Sequence, residues 1–366
     1  MHKPIALPPV RGIRVYIHWT FLLLFGWILL ASIVQENNMP GLWLSVFLFF
    51  AVFFCVLLHE LAHSLAAAHF KVKADDIVLL PIEEVAGDKK YPDDPKQELI
   101  TSFAGPLVNL LIAFILFWLL RSYSFFPGDL PGSGPTRISV FLYSLYLVNI
   151  VFAAFNLIPA FPMDGGRMLR AVLMILFHLN YTLATKTTVI TGKLIAVVFI
   201  GTGLLLLNPV LWVIGIFIIL AAGTEEYYLR LRSQVKGIKL KEVMGNDYNS
   251  LPASMPIKEA TQVLLNNCSD YFILVEGAKP LGAISRSAII KSISVMQHNE
   301  PLKHLLKGER LCLYANEEVE NVLNQLTTNE KQVYPVIENG RLAGTTSFAQ
   351  IIEYLLLHAS LTKEHV

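Results

Sequence analysis

The segment His59-Glu60-Leu61-Ala62-His63 sets two imidazoles four positions apart with a carboxylate between them. On a helix, that spacing stacks both rings on one face, where they can bind a single zinc ion, and leaves Glu60 beside the water that the metal holds. The segment lies inside an otherwise apolar run, Leu42 to Phe70, long enough to cross a bilayer. Charged groups near the centre of a span cost roughly 2.5–3.5 kcal/mol each. A spanning helix keeps them when they do chemistry or line a wet cavity. The pattern therefore points to hydrolysis at a metal inside a membrane. Its alternative, two histidines satisfied by neighbouring helices, requires several buried hydrogen-bond partners.

A catalytic zinc takes three protein ligands and keeps one position open. The best third donor is Asp164, in Asn156-Leu-Ile-Pro159-Ala-Phe-Pro162-Met-Asp164-Gly165-Gly166-Arg167. Pro159 and Pro162 break a helix, and the glycine pair permits a tight turn. An acid there can return to the depth of His59 and His63. Taken alone, Asp164 would read as the cap of a following helix; beside the paired histidines it reads as the ligand. His18, His69 and His178 have no partner at ligand spacing. Cys55, one turn before His59, reads as a small core residue.

Six apolar segments of spanning length position these groups, at about 15–35, 41–69, 98–120, 138–160, 187–206 and 208–228. The 366 residues are 54% hydrophobic and 16% charged, with a mean hydropathy of +0.54, and the apolar residues fill the chain only up to about Tyr228. Lysines and arginines crowd the N-terminal arm, the loop 70–97 and the segment after the last span, whereas 36–40 and 206–208 have none. That bias puts the basic loops and both termini in the cytoplasm. His59, ten residues before the end of its helix, then lies roughly 15 Å below the cytoplasmic surface. The formal charge of +1 says nothing about nucleic acid, and with no basic patch interleaved with aromatics no nucleic-acid partner is expected. Three scattered cysteines make neither a disulfide framework nor a thiolate metal site.

After the catalytic helix, residues 74–86 read as an extended segment interrupted by Pro81, suited to pairing with an unwound substrate. Glu83 and Glu84 in it either tune substrate choice, bind cations or sit in a solvated turn. The Gly/Pro-rich stretch Phe126 to Pro135 reads as an outer turn.

The polar tail repeats itself. Residues 272–282 and 334–344 align at an offset of 62, matching Val275 with Ile337, Glu276 with Glu338, Lys279 with Arg341 and Gly282 with Gly344. Each half reads as helix, strand, turn, strand, helix.

His59-Glu-Leu-Ala-His63, then Gly105-Pro106-Leu-Val-Asn109, then Asn156 to Arg167, in that order, resemble the site-2 protease family of intramembrane zinc metalloproteases over roughly residues 10–230. The tail resembles a pair of CBS domains over about 240–358. The resemblance implies a polytopic α-helical membrane protein followed by a cytosolic α/β CBS pair: a protease domain at 1–230, a linker at 231–243, and repeats at 244–295 and 300–358. It implies His59, His63 and Asp164 as ligands of one zinc per subunit and Glu60 as the catalytic base. Asn109 and Asn156 would contact the substrate backbone or the oxyanion, or else bond between helices. The implied reaction cleaves membrane-protein substrates within or near their transmembrane segments, in a prokaryotic cell membrane. Related enzymes usually carry glycines at the positions of Glu83 and Glu84. CBS pairs bind adenine nucleotides, with Ser285 and Ser347 at the corresponding positions, or serve as dimerisation modules that would make the chain a homodimer. The Asp that usually follows three residues later is Ala288 in one repeat and Gln350 in the other. An inactive scaffold or a CBS-bearing transporter is the competing reading; the intact Glu60 argues against the first and the Asp-Gly-Gly turn against the second.

Overall fold

The computed structural model describes residues 5–10, 13–17, 23, 25–26, 29–30, 39–71, 77–79, 94–122, 136–293, 300–306, 312–328 and 332–363. The chain forms two compact units, Met1–Leu229 and Arg230–Val366.

In the first unit, β1 (Ile5–Val10) and β2 (Ile13–Ile17) form an antiparallel hairpin, and β3 (Ile77–Leu79) adds parallel to β2. This hairpin was not foreseen: Pro8 and Pro9 mask its alternation, and Val15, Tyr16 and Ile17, expected to open the first span, are strand. Most of the remainder of 15–35 lies outside the described residues, as do Glu83, Glu84 and the turn Phe126 to Pro135.

Among the described residues, five helices are long and apolar enough to cross a membrane. They are α1 (Met39–His69), α2 (Pro95–Ser122), α3 (Arg137–Asn156), α5 (Tyr181–Leu205) and α6 (Pro209–Gln234). At 31 residues α1 is about 46 Å long, well beyond the ~30 Å hydrocarbon thickness, so it must tilt or project.

Helix α3 stops at Asn156, four residues before the expected end of its span. Pro159 disfavours helical backbone at Ile158, and the chain turns through residues 157–163 into the short helix α4 (Asp164–Phe177). The turn folds back on the start of α4. A Cβ at Gly165 would overlap the carbonyl groups of Leu157 and Ile158, and one at Gly166 would lie 2.7 Å from the Ala160 carbonyl carbon. Only glycine fits there. Ala160 and Met163 of the turn pack against Ala196 of α5 and Ile218 of α6, and Phe161 packs with Val189 and Ala222. The apolar faces of α5 and α6 thus hold the turn that presents Asp164.

The second unit repeats one order of elements. β4 (Ser250–Pro252), α8 (Ile257–Asn266), β5 (Tyr271–Glu276), β6 (Lys279–Ser285) and α9 (Arg286–Ile293) are followed by β7 (Leu313–Tyr314), α10 (Val319–Thr328), β8 (Tyr334–Glu338), β9 (Arg341–Thr346) and α11 (Phe348–Lys363). Ile257 and Val319, Lys279 and Arg341, and Arg286 and Phe348 open equivalent elements at the offset of 62 seen in the sequence. Each three-stranded sheet joins a parallel edge strand to an antiparallel hairpin. In the second hairpin Asn339 and Gly340 both have positive φ, 51° and 77°, as a two-residue type I′ turn requires. Each repeat has its own core. Leu251, Ile257, Phe272, Leu274, Ile284 and Ile289 fill the first. Leu313, Val319, Tyr334, Val336 and Ile351 fill the second, together with Leu240 and Val243 of the one-turn helix α7 (Leu240–Val243) and with Leu231 and Val235. Leu231 lies in the last turn of α6, and Val235 directly follows that helix.

Candidate metal centre

His59 and His63 lie one turn apart on α1, with ring centroids 4.7 Å apart and planes at 79°. Their Nε2 atoms are 3.1 Å from each other. Asp164, in the first turn of α4, brings Oδ2 to 3.2 Å from His59 Nε2 and 3.1 Å from His63 Nε2. All three side chains are buried. The N-terminus of α4 favours the ionised carboxylate.

The far side of each ring fixes its tautomer. His63 Nδ1–H donates to the Thr101 carbonyl of α2 at 2.8 Å; a carbonyl can only accept, so the proton sits on Nδ1. His59 Nδ1–H donates to Asn109 Oδ1 at 3.1 Å. Neutral rings held this way turn an Nε2 lone pair inward. Two such lone pairs then face a carboxylate oxygen, an arrangement that suits a cation at its centre. Two imidazole nitrogens, each ring backed by a hydrogen-bonding partner, and one carboxylate oxygen are a donor set that suits zinc. Among the described residues this is the one group of histidines, cysteines and acids able to hold a metal.

Close approach of α2 completes the cradle. A Cβ at Gly105 would lie 2.6 Å from His59 Nε2 and nearer still to His63 Nε2. Gly105 therefore leaves room at the point where the two imidazoles and the carboxylate converge. Phe152 of α3 packs edge-on against the His59 ring, with centroids 5.1 Å apart.

The other sequence candidates fall into different surroundings. Glu60 is half-buried in the same turn as His59. Asn109 links α2 to α1 through His59, the interhelical alternative named above. Asn156, one turn beyond Phe152, is buried, and its Nδ2 has no hydrogen-bond partner among the described residues. Cys55 Sγ accepts from Asn149 Nδ2 at 3.4 Å. His178 ends α4 in left-handed backbone, φ 52°. Ser285 Oγ accepts from the Ala288 N–H at 3.2 Å, and Ser347 Oγ from the Gln350 N–H at 3.3 Å; each serine therefore caps the helix that follows its hairpin.

Two charged residues escaped the sequence reading. Glu98, in the first turn of α2, and Arg170, in α4, form a buried ion pair. The second arginine of α4, set among Met168, Leu169, Ala171 and Val172, was the signal that could have found it.

Residues 47–128 and 126–200 match the model of Peptidase family M50, and residues 240–295 match that of the CBS domain. A zinc metalloprotease of Methanocaldococcus jannaschii is 31% identical over 352 residues, covering 96% of each protein. Stage IV sporulation protein FB of Bacillus subtilis is 27% identical over 146 residues, 40% of this chain and 44% of its own length. Among solved structures, the site-2 protease from M. jannaschii shares 36% identity, covers 61% of this chain and 94% of that one, and superposes with a TM-score of 0.43. With spanning helices, a buried His-His-Asp cluster and a relative similar along nearly the whole chain, this protein belongs to peptidase family M50, the site-2 protease family of multi-pass membrane zinc metalloproteases, and carries a CBS pair behind its membrane domain.

Proposed function

We propose that His59, His63 and Asp164 hold one zinc ion per chain and that Glu60 is the catalytic base of an endopeptidase acting within or near transmembrane segments of its substrates. The convergence of three lone-pair atoms, with both imidazole tautomers fixed from behind, carries this reading. When bound, zinc supplies the Lewis acidity that makes water nucleophilic near neutral pH. Glu60, one residue from a ligand, takes the proton from the attacking water and returns it to the leaving amine nitrogen. Asn156 Nδ2, a buried donor without a partner among the described residues, suits the developing oxyanion. Among the described residues β3 pairs only with β2, so its other edge can take up a substrate backbone whose helical hydrogen bonds have been opened.

The basic loops support a reading with both termini in the cytoplasm, and the archaeal and bacterial relatives support a prokaryotic cell membrane. The CBS pair regulates or dimerises the enzyme; the two serine caps favour the packing role, and an adenine nucleotide is the ligand to test by calorimetry on the full-length chain with ATP and with AMP. The deciding experiment for the protease is cleavage of a model transmembrane substrate by wild type and Glu60→Gln. Metal-dependent cutting by wild type alone supports the reading, and equal cutting by both removes Glu60 from it.

A further inference from the structure

Arg170 is held on every side. Its Nε donates to Glu98 Oε1 at 3.0 Å, Nη2 donates to the same oxygen, and Nη1 donates to the Tyr181 hydroxyl at 2.9 Å. Its guanidinium lies over the rings of Phe161 and Tyr181, at 5.3 and 4.8 Å from their centroids. Both charged partners are buried in helices of the membrane unit. Ion pairs in such surroundings are expensive: desolvation offsets much of their attraction, and an apolar pair of similar volume is often as stable or more so. Fold stability alone therefore does not explain the pair.

Its position does. Glu98 stands one turn before Thr101, whose carbonyl fixes His63, and two turns before Gly105, which abuts both imidazoles. Arg170 stands on the helix that begins with Asp164, and Phe161 beneath its guanidinium lies in the turn leading into that acid. Tyr181 opens α5, which packs on the same turn. The contacts of one side chain thus tie α2, the 157–163 turn, α4 and α5 together behind the cluster. We infer that Glu98 and Arg170 are positioning residues: the buried ionic clasp between α2 and α4 sets how far the Asp164 carboxylate stands from the imidazole that Thr101 orients, and so sets the affinity for the metal. The fork of arginine, with separate N–H groups for Glu98 and Tyr181, is what a single ammonium cannot reproduce.

This inference rests on His59, His63 and Asp164 being metal ligands. Its test is the apparent zinc affinity of the full-length, detergent-solubilised protein, measured by chelator competition beside the thermal midpoint. Glu98→Gln leaves Arg170 without its counter-charge and should lower both. The double variant Glu98→Gln/Arg170→Met removes the stranded charge and should recover most of the midpoint, while zinc stays about 10- to 100-fold weaker than in wild type, as for lost supporting contacts at other metal sites. Arg170→Lys, which keeps the charge, should hold the midpoint and still bind zinc several-fold more weakly. Wild-type zinc affinity in the double variant overturns the clasp. If that variant does not fold, wild-type affinity in Arg170→Lys overturns it equally. A wild-type protein that binds no zinc, or a His59→Ala variant that binds it as tightly, overturns the ligand assignment instead.

Discussion

The Thr101 carbonyl and the His63 ring meet at 2.8 Å across 38 residues of sequence. Through that bond the backbone of one spanning helix decides which nitrogen of an imidazole on another carries its proton. Asn109 does the same for His59 with a side-chain oxygen. The first partner has no side-chain alternative, and the second can be removed by substitution.

Asn109→Ala should therefore free the His59 ring to rotate and to exchange tautomers. Zinc affinity or turnover should fall about 10- to 100-fold, the range for supporting partners of metal-bound histidines. Chelator competition on the purified protein measures it, and an unchanged affinity would mean that α1 and Phe152 suffice to hold the ring.

Gly105→Ala places a methyl group against both Nε2 atoms. The helix should persist, since alanine is the better helix former by about 1 kcal/mol. Zinc content should nonetheless drop to near zero. Metal analysis together with circular dichroism separates the two effects, and full zinc occupancy in this variant contradicts the placement of α2 against the cluster.

Glu60→Gln keeps the size of the side chain and removes its basicity. Cleavage should fall by about 10²- to 10⁴-fold, the usual share of a general base, with zinc stoichiometry unchanged. Asp164→Ala should instead lose the metal together with the activity. The two variants should differ in zinc content but not in silence towards substrate.

In the tail, Gly340 has φ +77° with open space around its missing Cβ. Gly340→Ala should destabilise the second repeat by about 1 kcal/mol through backbone strain alone. Gly223, helical and equally unobstructed, should tolerate alanine. Thermal melts of the two variants compare them directly.

Much of the site is written in residue types. The four-residue histidine spacing requires only a helix, and the Asp-Gly-Gly turn announces itself through its prolines and glycines. What supports the site is harder to read. A backbone carbonyl such as that of Thr101 leaves no trace in composition. Glu98 sits where an apolar run begins and resembles an ordinary loop-end charge until Arg170, 72 positions later, is packed on it. The N-terminal hairpin is hidden for a different reason: consecutive prolines interrupt its pattern, and tertiary pairing with β3 supplies what local propensity lacks. The tail was legible because it is written twice.

The core of the second repeat begins ahead of the module that gives it its name. Leu231 and Val235 stand upstream of residue 240, where the recognisable module begins. A fragment trimmed to that boundary would leave two vacancies in its own interior, so the tail becomes a self-sufficient body only when the end of a lipid-crossing helix is carried along with it.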